Sequence, residues 1–243
     1  MAKMKPRRKA KSVQEDGGGP NWLVIGSIIG VAALALIGLA VTATLNPPEA
    51  AEPTPVLEEV IGNAAGYCES NPERCISVGN PNAEVTMVEI VDYGCPHCAS
   101  FNAETAPSLL NNYVETDLVH WMVMPFALGA QSQPSAESVL CAAEQGSELA
   151  LEYHEDLFLL QGTGDVHTRG GFLSVANRVD GMDVDAFESC LDDSRYSTDV
   201  SFNQQAARQL GVSSTPSFFL NNRLISGNQE IGVFQAQFDT ALN

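Results

Sequence analysis

Cys95-Pro96-His97-Cys98 ends an apolar run and opens a stretch with helical character. Two cysteines separated by two residues on the first turn of a helix can close a small disulfide and open it again. The helix N-terminus stabilises the thiolate that forms on opening. In that placement Cys95 projects its sulfur toward solvent, while Cys98 lies one turn deeper, so exchange has a direction. A substrate thiolate attacks Cys95, a mixed disulfide forms, and a second substrate thiol completes the transfer. His97, as a cation or a hydrogen-bond donor, pushes the same way as the helix end. A structural zinc site needs four ligands, and no second Cys/His pair stands at a helpful spacing. Neither a metal nor a cofactor is expected.

Glu89 interrupts the run VTMVEIV six residues before Cys95, at a position that alternation turns inward. A carboxylate buried there has a raised pKa and can accept the proton of Cys98 during exchange; a strand edge would instead leave it solvated. Thr215-Pro216, just ahead of another apolar run, supplies the second half of the pattern. A proline there removes a ladder donor. In the cis form it turns the preceding backbone so that Thr215 offers its N–H and C=O to an extended substrate segment. Pro96, Thr215 and Pro216 are therefore the candidate substrate-binding residues. Cys141 and Cys190 fall at inward positions of a helical stretch, and a bridge between them closes a loop of 50 residues, worth about 4 kcal/mol in the chain-entropy model. Cys68 and Cys75 close a loop of eight residues, worth about 2–3 kcal/mol. Both read as structural staples; the alternative for Cys68–Cys75 is a second exchangeable pair. His120, His154 and His167 have no ligand-like spacing and read as surface or helix-face residues, whereas Trp121, Met122 and Met124 read as core.

The elements that must position these groups emerge from periodicity. Val85–Val91 is a strand rich in β-branched residues, and Leu118–Phe126 is a second. Pro96 suits the first helical position, and the helix it starts runs to about Glu115, bent at Pro107. Residues 134–211 contain no clear strand and carry helical spacing, with Asp183 and Ser194 as N-caps and Gly162-Thr163-Gly164 and Gly170-Gly171 as breaks. Ser217–Leu220, a turn at Asn221-Asn222, and Arg223–Ile225 form a hairpin, and a last helix covers about 229–242. The order is strand, helix, strand, helical block, hairpin, helix.

Charge and hydropathy divide the chain. Residues 1–21 carry six basic against two acidic side chains; the rest holds six arginines, no lysine and 28 carboxylates. A body so acidic repels nucleic acid, and a nucleic-acid function is excluded. Trp22–Leu45 has no charge over 24 residues, against the ~20 a bilayer-spanning helix needs, and exceeds the apolar core of a cleaved signal; removal at Val41-Thr42-Ala43, which has the look of a cleavage site, is the alternative. The basic cluster ahead of it keeps 1–21 cytoplasmic and puts residues 46–243 on the outer side. All six cysteines lie beyond the span, as an oxidising compartment favours. The expected organisation is a basic cytoplasmic N-terminus (1–21), a transmembrane anchor (22–45), a linker with a short extension (46–80), an α/β domain (81–133 and 212–243) and a helical insertion (134–211).

The stretch Gly79-Asn80-Pro81-Asn82-Ala83-Glu84-Val85-Thr86 through VEIVDYGCPHC, the acidic residue six positions upstream, the helical insertion and the later Thr-Pro together resemble the DsbA family of thiol:disulfide oxidoreductases, in its membrane-anchored, BdbD-like form. The resemblance covers about residues 76–243. It implies a thioredoxin fold with an inserted all-helical subdomain, preceded by one transmembrane helix, and a cis Pro216. It further implies an oxidase that introduces disulfides into reduced exported proteins, reoxidised by a quinone-linked membrane partner of the DsbB or vitamin K epoxide reductase type. Cys141 and Cys190 resemble a bridged pair found in some members, and a monomer is expected. A disulfide reductase or isomerase is the alternative within this chemistry, although 46–80 is too short for a dimerisation domain with its own core. A peptide-binding module without turnover is the alternative outside it.

Overall fold

The computed structural model describes residues 63–242. The assigned cytoplasmic segment and anchor, and the tether as far as residue 62, lie outside the described residues. Among those described, no helix is long and apolar enough to cross a membrane.

The chain starts with helix α1 (Ala64–Ser70), capped by the Asn63 side chain on the Gly66 N–H at 2.7 Å. Strand β1 (Ile76–Val78) comes next, inside the stretch read as linker and extension, so the sheet begins earlier than its composition suggests. Then come β2 (Val85–Val91), α2 (Pro96–Glu104), α3 (Ala106–Leu109) running into a π turn at Leu110–Val114, and β3 (Val119–Pro125). The helical break falls at Thr105, two residues ahead of Pro107, because a proline on the first turn of α3 cannot donate back to the helix before it. Helices α4 (Gln133–Ala143), α5 (Ser147–Phe158), α6 (Arg169–Ala176), α7 (Val184–Asp192) and α8 (Ser197–Gln209) separate β3 from the hairpin β4 (Ser217–Leu220) and β5 (Arg223–Ser226). Helix α9 (Ile231–Ala241) closes the order.

The five strands lie in the order β1-β3-β2-β4-β5. β2 and β3 are parallel, as a crossover through α2 and α3 requires, and the remaining pairs are antiparallel. Alternation divides the sheet between two apolar layers. Val85, Met87 and Val91 share one face with Trp121, Val123, Phe101, Phe218 and Phe234. Val88 and Ile90 face the other way, with Met122, Met124, Tyr67 and Ala207. On that second face the buried Asn203 side chain accepts from the Tyr67 hydroxyl at 2.9 Å and donates to the carbonyls of Arg74 and Pro125.

Two local expectations need correction. Asp183 caps α7, accepting from the Ala186 N–H at 3.0 Å. Ser194, however, sits at φ +47° in the preceding turn, and Tyr196 occupies the cap position of α8. Gly171 is not a break but part of the first turn of α6, where an added Cβ would stand 2.0 Å from the Asp165 carbonyl oxygen. Its value is close approach, not flexibility.

Candidate active site

β2 delivers its last residues into a tight turn built by Asp92. One oxygen of this buried carboxylate accepts from the Gly94 N–H at 2.7 Å, and the other from the Leu128 N–H at 2.6 Å and the Ser132 hydroxyl at 2.8 Å. The turn hands Cys95 to α2 as its N-cap, in extended conformation, with Pro96 the first helical residue. Cys95 also donates its N–H to the Asp92 carbonyl at 3.0 Å, and its own carbonyl accepts from Cys98 and Ala99.

The two sulfurs are in unlike surroundings. Cys98 is fully buried, whereas Cys95 is half-exposed, and neither is bridged in this structure. Cys95 is drawn down to about 5, first because the Cys98 thiol donates to it. The Thr215 side chain and the backbone N–H groups of Cys98 and His97 add to this, outweighing partial burial. Cys98 is pushed well above the usual thiol range, by burial first and then by Cys95. One sulfur is therefore an accessible thiolate at neutral pH and the other a shielded thiol.

Thr215 faces Cys95 from the opposite end of the chain. The Cys95 thiol lies 3.2 Å from the Thr215 carbonyl oxygen, and the Thr215–Pro216 bond is cis. The Thr215 hydroxyl is buried without another partner, so it is free to turn toward the sulfur once that ionises. His97 is exposed and its ring makes no hydrogen bond among the described residues; what this residue brings to the sulfur is its backbone N–H.

Glu89 lies in the middle of β2, paired with Val123 on β3 and Phe218 on β4. Alternation gives it the face of Met87 and Val91, which packs against α2 and Cys98. It is 1 % exposed, and neither of its oxygens has a hydrogen-bond partner. Burial pushes it up to about 8; the Trp121 indole N–H, itself outside hydrogen-bond geometry, opposes this weakly. A carboxyl that titrates near neutrality beside a thiol is suited to passing one proton back and forth.

The cysteines outside this site are bridged as Cys68–Cys75, joining α1 to the turn before β1, and Cys141–Cys190, joining α4 to α7. Among the described residues no group of three or more His, Cys, Asp or Glu converges as metal ligands.

Sequence reasoning missed a second ring of residues around the turn. His154 is not a surface residue: it is 2 % exposed on α5, held neutral by burial that pulls it to about 3, and its Nδ1 lies 2.8 Å from the Tyr93 hydroxyl. Phe158 stacks on Tyr93 at 5.0 Å, and the Gln161 amide donates to the Tyr93 carbonyl. His167 overhangs Gly94 so closely that an added Cβ there would stand 2.9 Å from its ring. His120 is also buried, bonded to Ser77 at 2.6 Å, because β1 covers it. Asp-Tyr-Gly directly after a strand is an Asx-turn signal that would have flagged Asp92. Nothing local marks His154 or His167.

The family model described as Thioredoxin matches residues 71–240. The Na(+)/H(+) antiporter NhaA 3 of Salinispora tropica is 34% identical over 168 residues, covering 68% of this chain and 24% of that protein. The chain thus spans about a quarter of the length of the antiporters it matches. Disulfide bond formation protein D of Bacillus subtilis is 22% identical over 151 residues, covering 61% of this chain and 68% of that protein. Among solved structures, DsbA of Chlamydia trachomatis superposes on 68% of this chain and 90% of its own with a TM-score of 0.63, at 18% identity, a likeness of fold.

Proposed function

The chain belongs to the thioredoxin family, and we propose that it is a DsbA-type thiol:disulfide oxidoreductase that donates a disulfide from Cys95–Cys98 to reduced proteins outside the cytoplasm. In the working direction a substrate thiolate attacks the Cys95 sulfur of the oxidised pair. The Cys95–Cys98 bond breaks, and Cys98 leaves as a thiolate that takes a proton from Glu89. A second substrate thiolate attacks the substrate sulfur of the mixed disulfide, and Cys95 leaves as the thiolate. Two electrons pass from substrate to the pair, and on reoxidation Glu89 takes back the Cys98 proton. Thr215 and Pro216 present backbone to the substrate segment, with Pro96 shaping the rim.

The observation that carries this reading is the asymmetry of the two sulfurs, one ionised and reachable, the other protonated and buried. A stabilised thiolate favours the reduced protein, which makes the oxidised protein the stronger oxidant. The uncharged stretch 22–45 behind a basic cluster supports membrane tethering with the catalytic domain outside. Reoxidation is then assigned to a quinone-linked membrane partner of the DsbB or vitamin K epoxide reductase type. Substituting Cys98→Ala tests the scheme: mixed disulfides to client proteins accumulate on Cys95. No adduct, or adducts formed equally well on a Cys95→Ala chain, removes it, and a potential as low as that of a cytoplasmic reductant turns the reading to a reductase.

A further inference from the structure

Alongside the active-site helix runs a groove of about 960 Å³, walled by α2 and the π turn on one side (Ala99, Ala103, Leu110) and by α5 on the other (Leu151, Phe158). It starts at Ala99, about one helical turn beyond Cys95, on the same stripe of α2. Its walls mix apolar and polar side chains, and its rim is acidic and uncompensated. Glu115, Glu148 and Glu155 line it, and none of the three has a side-chain hydrogen bond or ion pair among the described residues, whereas Asp156 beside them is bound to Arg178 at 3.1 Å. No lysine, arginine or histidine lines the groove. Inside it the Asn102 carbonyl oxygen is buried without a donor, although its amide reaches the Glu155 backbone at 3.4 Å. Apolar side chains in the walls and carboxylates without counter-ions point to one kind of occupant.

We infer that this groove receives the stretch of an unfolded substrate next to its reacting cysteine, and selects stretches in which Arg or Lys alternate with apolar residues. The inference rests on the oxidoreductase reading above and adds the substrate class. The span from Ala99 to Leu110 measures about 16 Å along the helices, room for about five residues of extended chain. The selected basic residues therefore lie some two to six positions from the substrate cysteine. Glu155 adds a local reason: burial and the neighbouring Asp156 and Glu152 charges push its carboxyl up, and a cation entering the groove relieves that repulsion.

The test uses the full chain, oxidised, mixed with two matched peptides of one cysteine each. One carries Arg alternating with Leu or Val on both sides of the cysteine, and the other has Gln in place of Arg. The rate of mixed-disulfide formation is read by acid quench and alkylation. The wild type is expected to react about tenfold faster with the basic peptide, and less so as salt is raised. In E115Q/E148Q/E155Q that ratio falls to near one, and Ala103→Trp, which fills the groove, slows the basic peptide. An equal loss of charge elsewhere, in E84Q/D180N/D185N, keeps the ratio. A wild type without preference overturns the inference. So does a preference that survives the groove substitutions, or one lost equally in the control, which assigns it to overall charge. A wild type that reacts with neither peptide fails the oxidoreductase reading instead.

Discussion

Glu89→Gln should flatten the pH dependence of stability across the neutral range. The carboxyl titrates near 8 in the fold and near 4.5 in an unfolded chain. Below the unfolded value both states are protonated and the pH-dependent part of the cost vanishes. As pH rises through 4.5 the unfolded state releases its proton while the folded state keeps it, so stability falls with pH until the folded value near 8 is passed. Integrated from pH 5 to 8, this group removes about 3–4 kcal/mol of stability. Glutamine keeps the shape and cannot ionise, so that slope disappears. Its amide leaves an unsatisfied buried group costing about 1–3 kcal/mol, but that cost does not vary with pH, so the slope reports the carboxyl alone. Guanidinium unfolding of the oxidised protein at several pH values is the assay, because bridged Cys95 then has no proton to lose. Parallel wild-type and Glu89→Gln curves would falsify both the burial of this carboxyl and its proton-passing role. The same substitution should slow exchange at Cys98 by roughly ten- to hundredfold.

Cys95 should titrate near 5 by thiolate absorbance. Its lowered value stabilises the reduced fold most at alkaline pH, and the gain is lost as pH falls through 5. At pH 7 the reduced form gains about 1–2 kcal/mol after allowance for solvent screening, seen as a later unfolding midpoint than that of the oxidised form; coincident midpoints would refute it. Replacing Cys141 and Cys190 by serine opens a 50-residue loop and should remove about 4 kcal/mol, while leaving Cys95 alkylation unchanged. Residues 63–243 hold 24 carboxylates against six arginines, so their mutual repulsion should ease with ionic strength. A melting temperature that does not rise between dilute buffer and about 1 M salt would contradict this.

What the sequence made legible was local. Val85–Val91 announces its strand by β-branching, and once it is a strand, period two turns Glu89 to the face that α2 covers. The Cys95–Cys98 spacing and Pro96 announce the head of α2. What escaped depends on contacts distant in sequence. β1 is three residues long and is held only by its register against β3, where Ser77 pairs with Met122. His154 fits an amphipathic helical pattern that suits a solvated face; its burial comes from Tyr93, 61 positions away. The break falls at Thr105 although the sequence marks only Pro107, because the effect of a missing N–H falls on the turn before the proline.

The chain between β3 and β4 bears on the chemistry through three consecutive residues. Asp92 is held from Leu128 and Ser132, Tyr93 from His154, Phe158 and Gln161, and Gly94 from His167. The His167 ring is in turn fixed: the Ser135 hydroxyl spends its proton on the Val166 carbonyl at 2.6 Å, so the Ser135 oxygen accepts from His167 Nδ1–H at 2.7 Å. Each holder comes from chain after β3, and the next residue in line is Cys95. Cys95 depends on donors that act only at hydrogen-bond distance, so an error of half an ångström in the turn weakens all of them together. The same sheet tolerates in Glu89 a carboxyl with no hydrogen-bond partner among the described residues, a choice that costs stability at neutral pH and supports the proposed proton transfer. In the proposed scheme, turn and orphan carboxyl thus serve opposite members of the pair: the first keeps the Cys95 charge in place, the second gives the Cys98 proton somewhere to go.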